Sequence, residues 1–257
     1  MMPGLPLAID HVRSPPAAPI HLNVSETFTT HQGEGRHQGA LAHFIRLTGC
    51  NLTCSWCDAA YTWDWRRYRH EDEVHQRTPH DLADEIDALQ ALGAGRARVV
   101  ITGGEPLLQS NGLAALFAEL DACDLFAHHP LDLETNGTRP LGPTARFWST
   151  ITCSPKVGPS AGQIVPKWGA PALDPSIKGD DRTEFKFVVA GSADLDAAVE
   201  FAAHHSLPRD RCWLMPEGTT PATILDRTPW VTRSALMLGW NFTSRLHILA
   251  YGDTRGT

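Results

Sequence analysis

Arg98-Val99-Val100-Ile101-Thr102-Gly103-Gly104-Glu105-Pro106 is the stretch on which the reading of this chain turns. Its apolar run is short, as strands buried in parallel sheets are, and it stops at two glycines ahead of a helical stretch. Working outward, similar runs predict strands over residues 42–47, 98–102, 131–135, 150–154, 184–189, 212–215 and 246–251. Amphipathic helices are expected between several of them. The clearest cover 79–92, with Thr78 as N-cap and Pro79 at the first helical position, and 194–205. Alternation of this kind predicts an α/β fold of βα units around a parallel sheet.

Thr102-Gly103-Gly104, Glu134-Thr135-Asn136 and Ser154-Pro155-Lys156 each fall at the C-terminal end of a predicted strand. Parallel sheets and barrels bind ligands at that edge, so these polar clusters are expected to converge on one rim. A cysteine-rich segment follows the first predicted strand in the same way. Residues 59–77 and 156–183 read as long loops of the kind that cover sites. Residues 1–24 read as a proline-rich lead-in, with five prolines before position 20, and 25–257 as one domain.

The chain has 257 residues, 42% of them apolar, enough for one core that buries roughly 70–75% of the unfolded surface. Net charge is −7 and the lysines and arginines are scattered, which argues against a nucleic-acid partner. There is no apolar run of membrane-spanning length and no signal-type N-terminus, so the sequence reads as cytoplasmic, without a membrane partner.

Of six cysteines, Cys123, Cys153 and Cys212 stand alone and read as small buried hydrophobes. The other three crowd together in Gly49-Cys50-Asn51-Leu52-Thr53-Cys54-Ser55-Trp56-Cys57-Asp58. Clustered cysteines in a large chain suggest a metal site before disulfides. Three thiolates spaced by three and then two residues suit a cubane in which each iron takes one thiolate and the fourth iron stays open. The alternative is zinc, with His70 or His75 completing a Cys3His set, although no second ligand pair is visible.

The cysteine segment after a strand, followed by Gly103-Gly104-Glu105-Pro106 after the next, resembles the radical S-adenosylmethionine (SAM) superfamily. The resemblance implies an incomplete parallel β/α barrel and a 4Fe-4S cluster on Cys50, Cys54 and Cys57. It also implies SAM as a second cofactor, cleaved by an electron from the cluster. Glycines that let backbone approach closely, with carbonyls and a carboxylate nearby, suit the ammonium of such a ligand.

Upstream, Ser25-Glu26-Thr27-Phe28-Thr29-Thr30-His31-Gln32-Gly33-Glu34-Gly35 and Arg46 resemble 7-carboxy-7-deazaguanine synthases, as do Tyr61-Thr62-Trp63-Asp64 and Arg245-Leu246-His247. That resemblance covers the chain from about Glu26 onward. It implies a carbon–nitrogen lyase that converts 6-carboxy-5,6,7,8-tetrahydropterin to 7-carboxy-7-deazaguanine with loss of ammonia, in queuosine-type 7-deazapurine biosynthesis. It further implies a homodimer and a flavodoxin or ferredoxin reductant. Substrate contacts carry over to His31, Gln32, Gly33, Glu34, Arg46, Thr102 and His247. SAM contacts carry over to Trp56, Cys57, Asp58, Gly104, Glu105, Glu134, Asn136, Ser154 and Lys156. The chemistry agrees: Gln32 donates and accepts, Glu34 receives N–H groups, and Arg46 grips a carboxylate through two parallel bonds.

Several of these residues also admit structural readings. Trp56 is either near the adenine or a core aromatic, and Glu134 and Asn136 either bind ribose or form a turn. Lys156 is either a ligand contact or a solvated lysine; His247 either meets the substrate carboxylate or is a satisfied histidine in a terminal strand. The chain departs from the family pattern at Ala59, where a Thr or Ser hydroxyl usually helps to hold Mg²⁺ at the substrate. Ala59 has no side-chain oxygen, and Mg²⁺ prefers oxygen ligands, so the Mg²⁺ that the resemblance implies is left to substrate oxygens, water or a neighbouring group, with weaker support from the protein. Two other readings compete. A glycyl-radical activating enzyme shares the cysteine and Gly-Gly-Glu-Pro segments but does not call for Gln32-Gly33-Glu34 and Arg46. A non-catalytic metal-binding redox module is separated from an enzyme by metal analysis, four irons with a SAM-dependent spectral change marking the enzyme and one zinc the module.

Overall fold

A computed structural model describes residues 19–91, 93–162 and 173–257. Most of the proline-rich lead-in and part of the 156–183 loop therefore lie outside the described residues. Among those described, one nine-stranded sheet runs in the order β3-β1-β2-β4-β5-β6-β7-β8-β9. The strands are β1 (Leu22–His31), β2 (Leu41–Leu47), β3 (His75–Arg77), β4 (Arg98–Gly103), β5 (Leu131–Thr135), β6 (Thr150–Cys153), β7 (Thr183–Val189), β8 (Cys212–Pro216) and β9 (Asn241–Phe242). From β2 to β9 every ladder is parallel, and β1 joins antiparallel to both β2 and β3. The two ends of the order do not pair, so the barrel is open.

The helices are α1 (His70–Glu73), α2 (Pro79–Ala91), α3 (Ser110–Ala122), α4 (Pro175–Lys178), α5 (Ser192–His204), α6 (Pro221–Leu238) and α7 (Leu246–Tyr251). The Thr78 cap is present: its Oγ1 accepts from the Asp81 amide at 3.1 Å while Asp81 Oδ2 accepts from the Thr78 amide at 3.1 Å. This reciprocal pairing satisfies two amides that no helical carbonyl reaches.

Strand alternation divides the sheet into two faces. Ile45, Leu47, Val99, Ile101, Leu131, Leu133, Ile151, Phe185, Phe187 and Leu214 face the helices and form the main core with Leu82, Ile86, Leu116 and Phe117. The concave face is polar except around Ala42, Phe44 and Val100, against which Phe28 packs. Its lower end is a floor of charge pairs. Arg98 makes a two-point contact with Asp132, and its Nη2–Oδ1 bond is 2.6 Å. Arg36 Nη1 and Trp213 Nε1 donate to the two oxygens of Glu184 at 2.6 and 2.7 Å.

Three expectations need correction. The predicted strand over 246–251 is helix α7: the Leu249 amide donates to Arg245 O at 3.1 Å and only Ile248 is fully buried. A short apolar run satisfies either period, and here its amphipathic docking makes it helical; the last parallel strand is β9. The 59–77 loop contains α1 and β3. Cys153 and Cys212 are buried as expected, but Cys123 is exposed.

The floor generates a stability prediction. Asp132→Ala leaves the Arg98 guanidinium without its counter-charge, at a cost of about 3 kcal/mol. Urea denaturation followed by circular dichroism should show that loss, and Arg98→Met/Asp132→Leu should recover most of it.

Candidate active site

One cavity of about 480 Å³ opens at the C-terminal ends of the parallel strands. Cys50, Cys54, Trp56, Cys57, Asp58 and Ala59 line it from the loop after β2; Thr102 and Gly104 line it from the end of β4. Glu134, Asn136, Ser154 and Lys156 come from β5 and β6, and His31, Gln32, Gly33, Glu34, Arg46 and His247 from the other side. All the sequence-nominated positions except Glu105 therefore share its wall.

The cysteine loop is locked to the sheet edge by backbone. Gly104 N donates to Leu47 O at 3.1 Å, and Glu105 N to Gly49 O at 2.8 Å. A Cβ on Gly104 would sit 2.0 Å from Gly49 O, so no other residue fits there. The Leu52 amide donates to Cys50 Sγ at 3.4 Å, and Trp63 Nε1 to Cys57 Sγ at 3.3 Å. Burial pushes the Cys50 thiol up to about 12 and raises Cys54 and Cys57 as well, against the opposing pull of these donors and of Lys156. Thiolates in such a place need a bound cation, and metal ligation supplies it. Among the described residues no group of three or more His, Cys, Asp and Glu side chains is placed around a single ion. A cluster whose irons each take one thiolate fits three thiols arranged this way. His70 packs against Trp65, at 4.9 Å between ring centroids, and His75 lies in β3; neither lines the cavity, which leaves the zinc alternative without its fourth ligand.

Glu105 stands behind the wall, fully buried. Its carboxylate accepts from Leu107 N at 3.1 Å, Thr135 Oγ1 at 2.8 Å and Asn136 N at 2.8 Å. It thereby ties β4 to β5 with its side chain, while Asn136 Nδ2 reaches back to Asn51 Oδ1 at 3.0 Å. Lys156 Nζ donates to Ser154 Oγ at 2.9 Å and lies 5.3 Å from the Trp56 ring centroid. Trp56 is thus a wall aromatic held by a cation.

On the other side, Gln32 Nε2 donates to Glu134 Oε1 at 3.1 Å and Thr102 Oγ1 to Glu134 Oε2 at 2.8 Å. Arg46 Nε donates to Glu26 Oε1 at 2.8 Å above the Phe28 ring. Gly33 meets His247 itself: a Cβ there would lie 2.0 Å from His247 Nδ1, and the Leu246 amide donates to Gly33 O at 2.8 Å. Glu34 receives the Lys186 ammonium on Oε2 and Arg245 Nε on Oε1 at 2.8 Å. Burial pushes its carboxyl up, but Lys186 and Arg245 reverse this and hold it well below the usual carboxylate range. Arg245 also bonds Asp58, joining the cysteine loop to the Gln32–Glu34 loop.

Lys186 and Arg245 had no role assigned from the sequence. Lys186 sits between Phe185 and Phe187 in β7, and strict alternation puts it on the face opposite those two rings. Arg245 stands two residues before His247, and no strand or helix pattern marks it. Ala59 is buried, and its carbonyl accepts from both Thr62 N at 2.9 Å and Thr62 Oγ1 at 2.7 Å. The donor set beside Asp58 does not fit Mg²⁺.

The Radical SAM superfamily profile matches residues 44–147. A 7-carboxy-7-deazaguanine synthase of Pyrobaculum aerophilum is 33% identical over 93% of this chain and 99% of its own. One from Rhodopirellula baltica is 31% identical over 94% and 91%, respectively. Among solved structures, QueE from Escherichia coli superposes with a TM-score of 0.64 at 25% identity, covering 88% of this chain and 95% of its own. The anSMEcpe structure with bound AdoMet shares the fold at a TM-score of 0.50 and 14% identity, over 79% of this chain and 64% of its own. With its cysteine loop, glycine edge and Gln32–Glu34 wall in one cavity, the chain belongs to the 7-carboxy-7-deazaguanine synthase family of radical SAM proteins.

Proposed function

We propose that this chain converts 6-carboxy-5,6,7,8-tetrahydropterin to 7-carboxy-7-deazaguanine with loss of ammonia, drawing electrons from a flavodoxin or ferredoxin. The observation that carries the reading is that Cys50, Cys54 and Cys57 and the Gln32, Glu34 and Arg46 set line the same cavity. An activase for a partner protein's glycyl radical has no use for the second set.

Cys50, Cys54 and Cys57 would hold a 4Fe-4S cluster and the Gly104, Glu134, Asn136, Ser154 and Lys156 edge would hold SAM, and together these groups would supply radical chemistry. The protein's own side chains do the rest. Gln32 and Glu34 take the donor and acceptor edge of the aminopyrimidine. Arg46, with Tyr61 Oη and Arg46 Nε both donating to Glu26 Oε1, is oriented toward the substrate carboxylate. Phe28 and Phe44, stacked 5.0 Å apart, give the ring an apolar floor and keep water from its face. Glu34 stays ionised throughout the working pH range, so it binds N–H groups and holds no proton to give.

His247 is neutral at pH 7. Burial lowers its pKa, Glu34 pulls it up, and Arg245 pulls it down again, with a net shift below 6.5. A histidine with a depressed folded pKa leaves stability intact above its unfolded value and costs stability as pH falls below that value. Urea midpoints should therefore fall from pH 7 to pH 5, and fall less steeply in His247→Gln.

Anaerobic incubation of the iron-reconstituted protein with the tetrahydropterin, dithionite and SAM tests the assignment, with product separated by chromatography. The deazaguanine is expected; cofactor cleavage without it would remove the substrate and leave the radical class. Cys54→Ala should lose cluster absorption and all turnover, and retained turnover would contradict the ligand assignment.

A further inference from the structure

We propose that Arg245 is the built-in cation of the substrate site, standing where relatives of this family would use Mg²⁺, so that this chain's turnover is independent of divalent ions. The inference rests on the pterin reading above.

Magnesium needs a near-octahedral shell of oxygens and keeps several waters. Three of the four carboxylate oxygens of Asp58 and Glu34 already accept from a cation. Asp58 Oδ2 accepts from Arg245 Nη2. Glu34 Oε1 accepts from Arg245 Nε at 2.8 Å, and Glu34 Oε2 from Lys186. Ala59 offers a methyl group in place of a hydroxyl, and its carbonyl is shared by two donors of Thr62. A divalent ion entering here would displace a bonded guanidinium and sit beside two fixed positive charges. Both are buried, with 8% of the Arg245 side chain and 7% of the Lys186 side chain exposed, so water screens that repulsion little.

Arg245 is also preorganised for the role. Nη1 donates to Gly218 O at 2.8 Å, Nε to Glu34 and Nη2 to Asp58, so three separate segments fix the plane of the guanidinium. The Leu246 amide, bonded to Gly33 O at 2.8 Å, holds the backbone against the substrate loop. A guanidinium stays charged at every working pH and presents its donors in a rigid fork suited to a carboxylate or an enolate-like oxygen. It costs no ion binding and no ordering of a water shell. Its two carboxylate partners come from two separate loops, Asp58 beside Cys57 and Glu34 beside Gln32. One side chain thus joins the two loops that flank this part of the cavity.

The test uses the cluster-loaded enzyme at matched iron content, after EDTA treatment and desalting. Product formation is measured with and without added Mg²⁺, and Mn²⁺ is titrated into the same protein with the pterin present and followed by electron paramagnetic resonance. Rates within twofold of each other, and a Mn²⁺ spectrum that remains that of the free aqueous ion, are expected. Stimulation by Mg²⁺ of tenfold or more, or one tightly bound equivalent of Mn²⁺, would overturn the proposal. Ala59→Ser supplies the missing hydroxyl and should still bind no Mn²⁺ while Arg245 is in place; one bound equivalent in that variant would show that Arg245 does not hold the position. If no deazaguanine forms under either condition, the substrate assignment fails, and the Mn²⁺ titrations still decide whether the site takes a divalent ion.

Discussion

The close approach of the Gly103-Gly104 backbone to Leu47 and Gly49 fixes everything that follows β2. Gly103 has φ +125, and a Cβ there would fall 2.0 Å from Leu47 O; at Gly104 it would fall 2.0 Å from Gly49 O. Only residues without a side chain allow the end of β4 to lie this close to the start of the cysteine loop. Two backbone bonds then form, from Gly104 N to Leu47 O and from Glu105 N to Gly49 O, and they replace the ladder bonds lost where β2 ends. The buried Glu105 carboxylate extends the same lock to Thr135 and Asn136, and Asn136 returns to Asn51 within the loop. The start of the cysteine loop, as far as Asn51, is thereby tied to the sheet edge.

The concave face obeys a second constraint. Charged groups lifted from water must be paired or they unfold the sheet. The floor meets this with pairs closed on themselves, Arg98 with Asp132 and Arg36 with Glu184. The upper layer meets it with a shared network in which Glu34 serves Lys186 and Arg245 at once and Glu134 serves Gln32 and Thr102. Closed pairs leave nothing for a ligand, whereas a shared network borders the cavity and can exchange a partner. The same strands supply both layers: Asp132 and Glu134 are two residues apart in β5, and Glu184 and Lys186 two apart in β7.

Much of the fold was readable from apolar runs, because the helix-facing positions of β2, β4, β5, β6, β7 and β8 are mostly Ile, Leu, Val, Phe and Cys, with His43 in β2 and Thr183 in β7 as polar exceptions. Convergence of Thr102, Glu134, Ser154 and the cysteines on one rim followed from strand ends alone. β1 was not readable in this way, for a local reason. Its register shifts between Val24 and Glu26, so Leu22 and Val24 face the helices while Phe28 faces the cavity side. A bulge reverses the parity of every residue beyond it, and a search for period two loses the strand at that point. Helix α7 failed for the opposite reason: Leu-His-Ile-Leu-Ala-Tyr satisfies either period, and its docking beside Gly33 is not encoded within those six residues.

The substrate wall was legible only in part because its decisive partners are brought together from opposite ends of the chain. Glu34 was visible as an acceptor, but its two cations lie at positions 186 and 245, separated from it by 152 and 211 residues. For Lys186 a signal existed, since a lysine between two phenylalanines in a strand must face away from the core they join. For Arg245 the signal was its place in the Arg245-Leu246-His247 segment that resembles the family, with no strand or helix period to aim it. Its position follows from β9 ending at Phe242, from Thr243 donating its amide to Leu214 O, and from Leu246 reaching Gly33. Those long-range bonds turn the chain sharply enough to aim one guanidinium between Asp58 and Glu34. Thr243 Oγ1 also accepts the Gly35 amide at 2.8 Å, so the turn that places Arg245 is held by the loop that carries Glu34. The acid and its cation are therefore positioned by one another's segments, and neither half of the site is complete before the C-terminal part of the chain has docked.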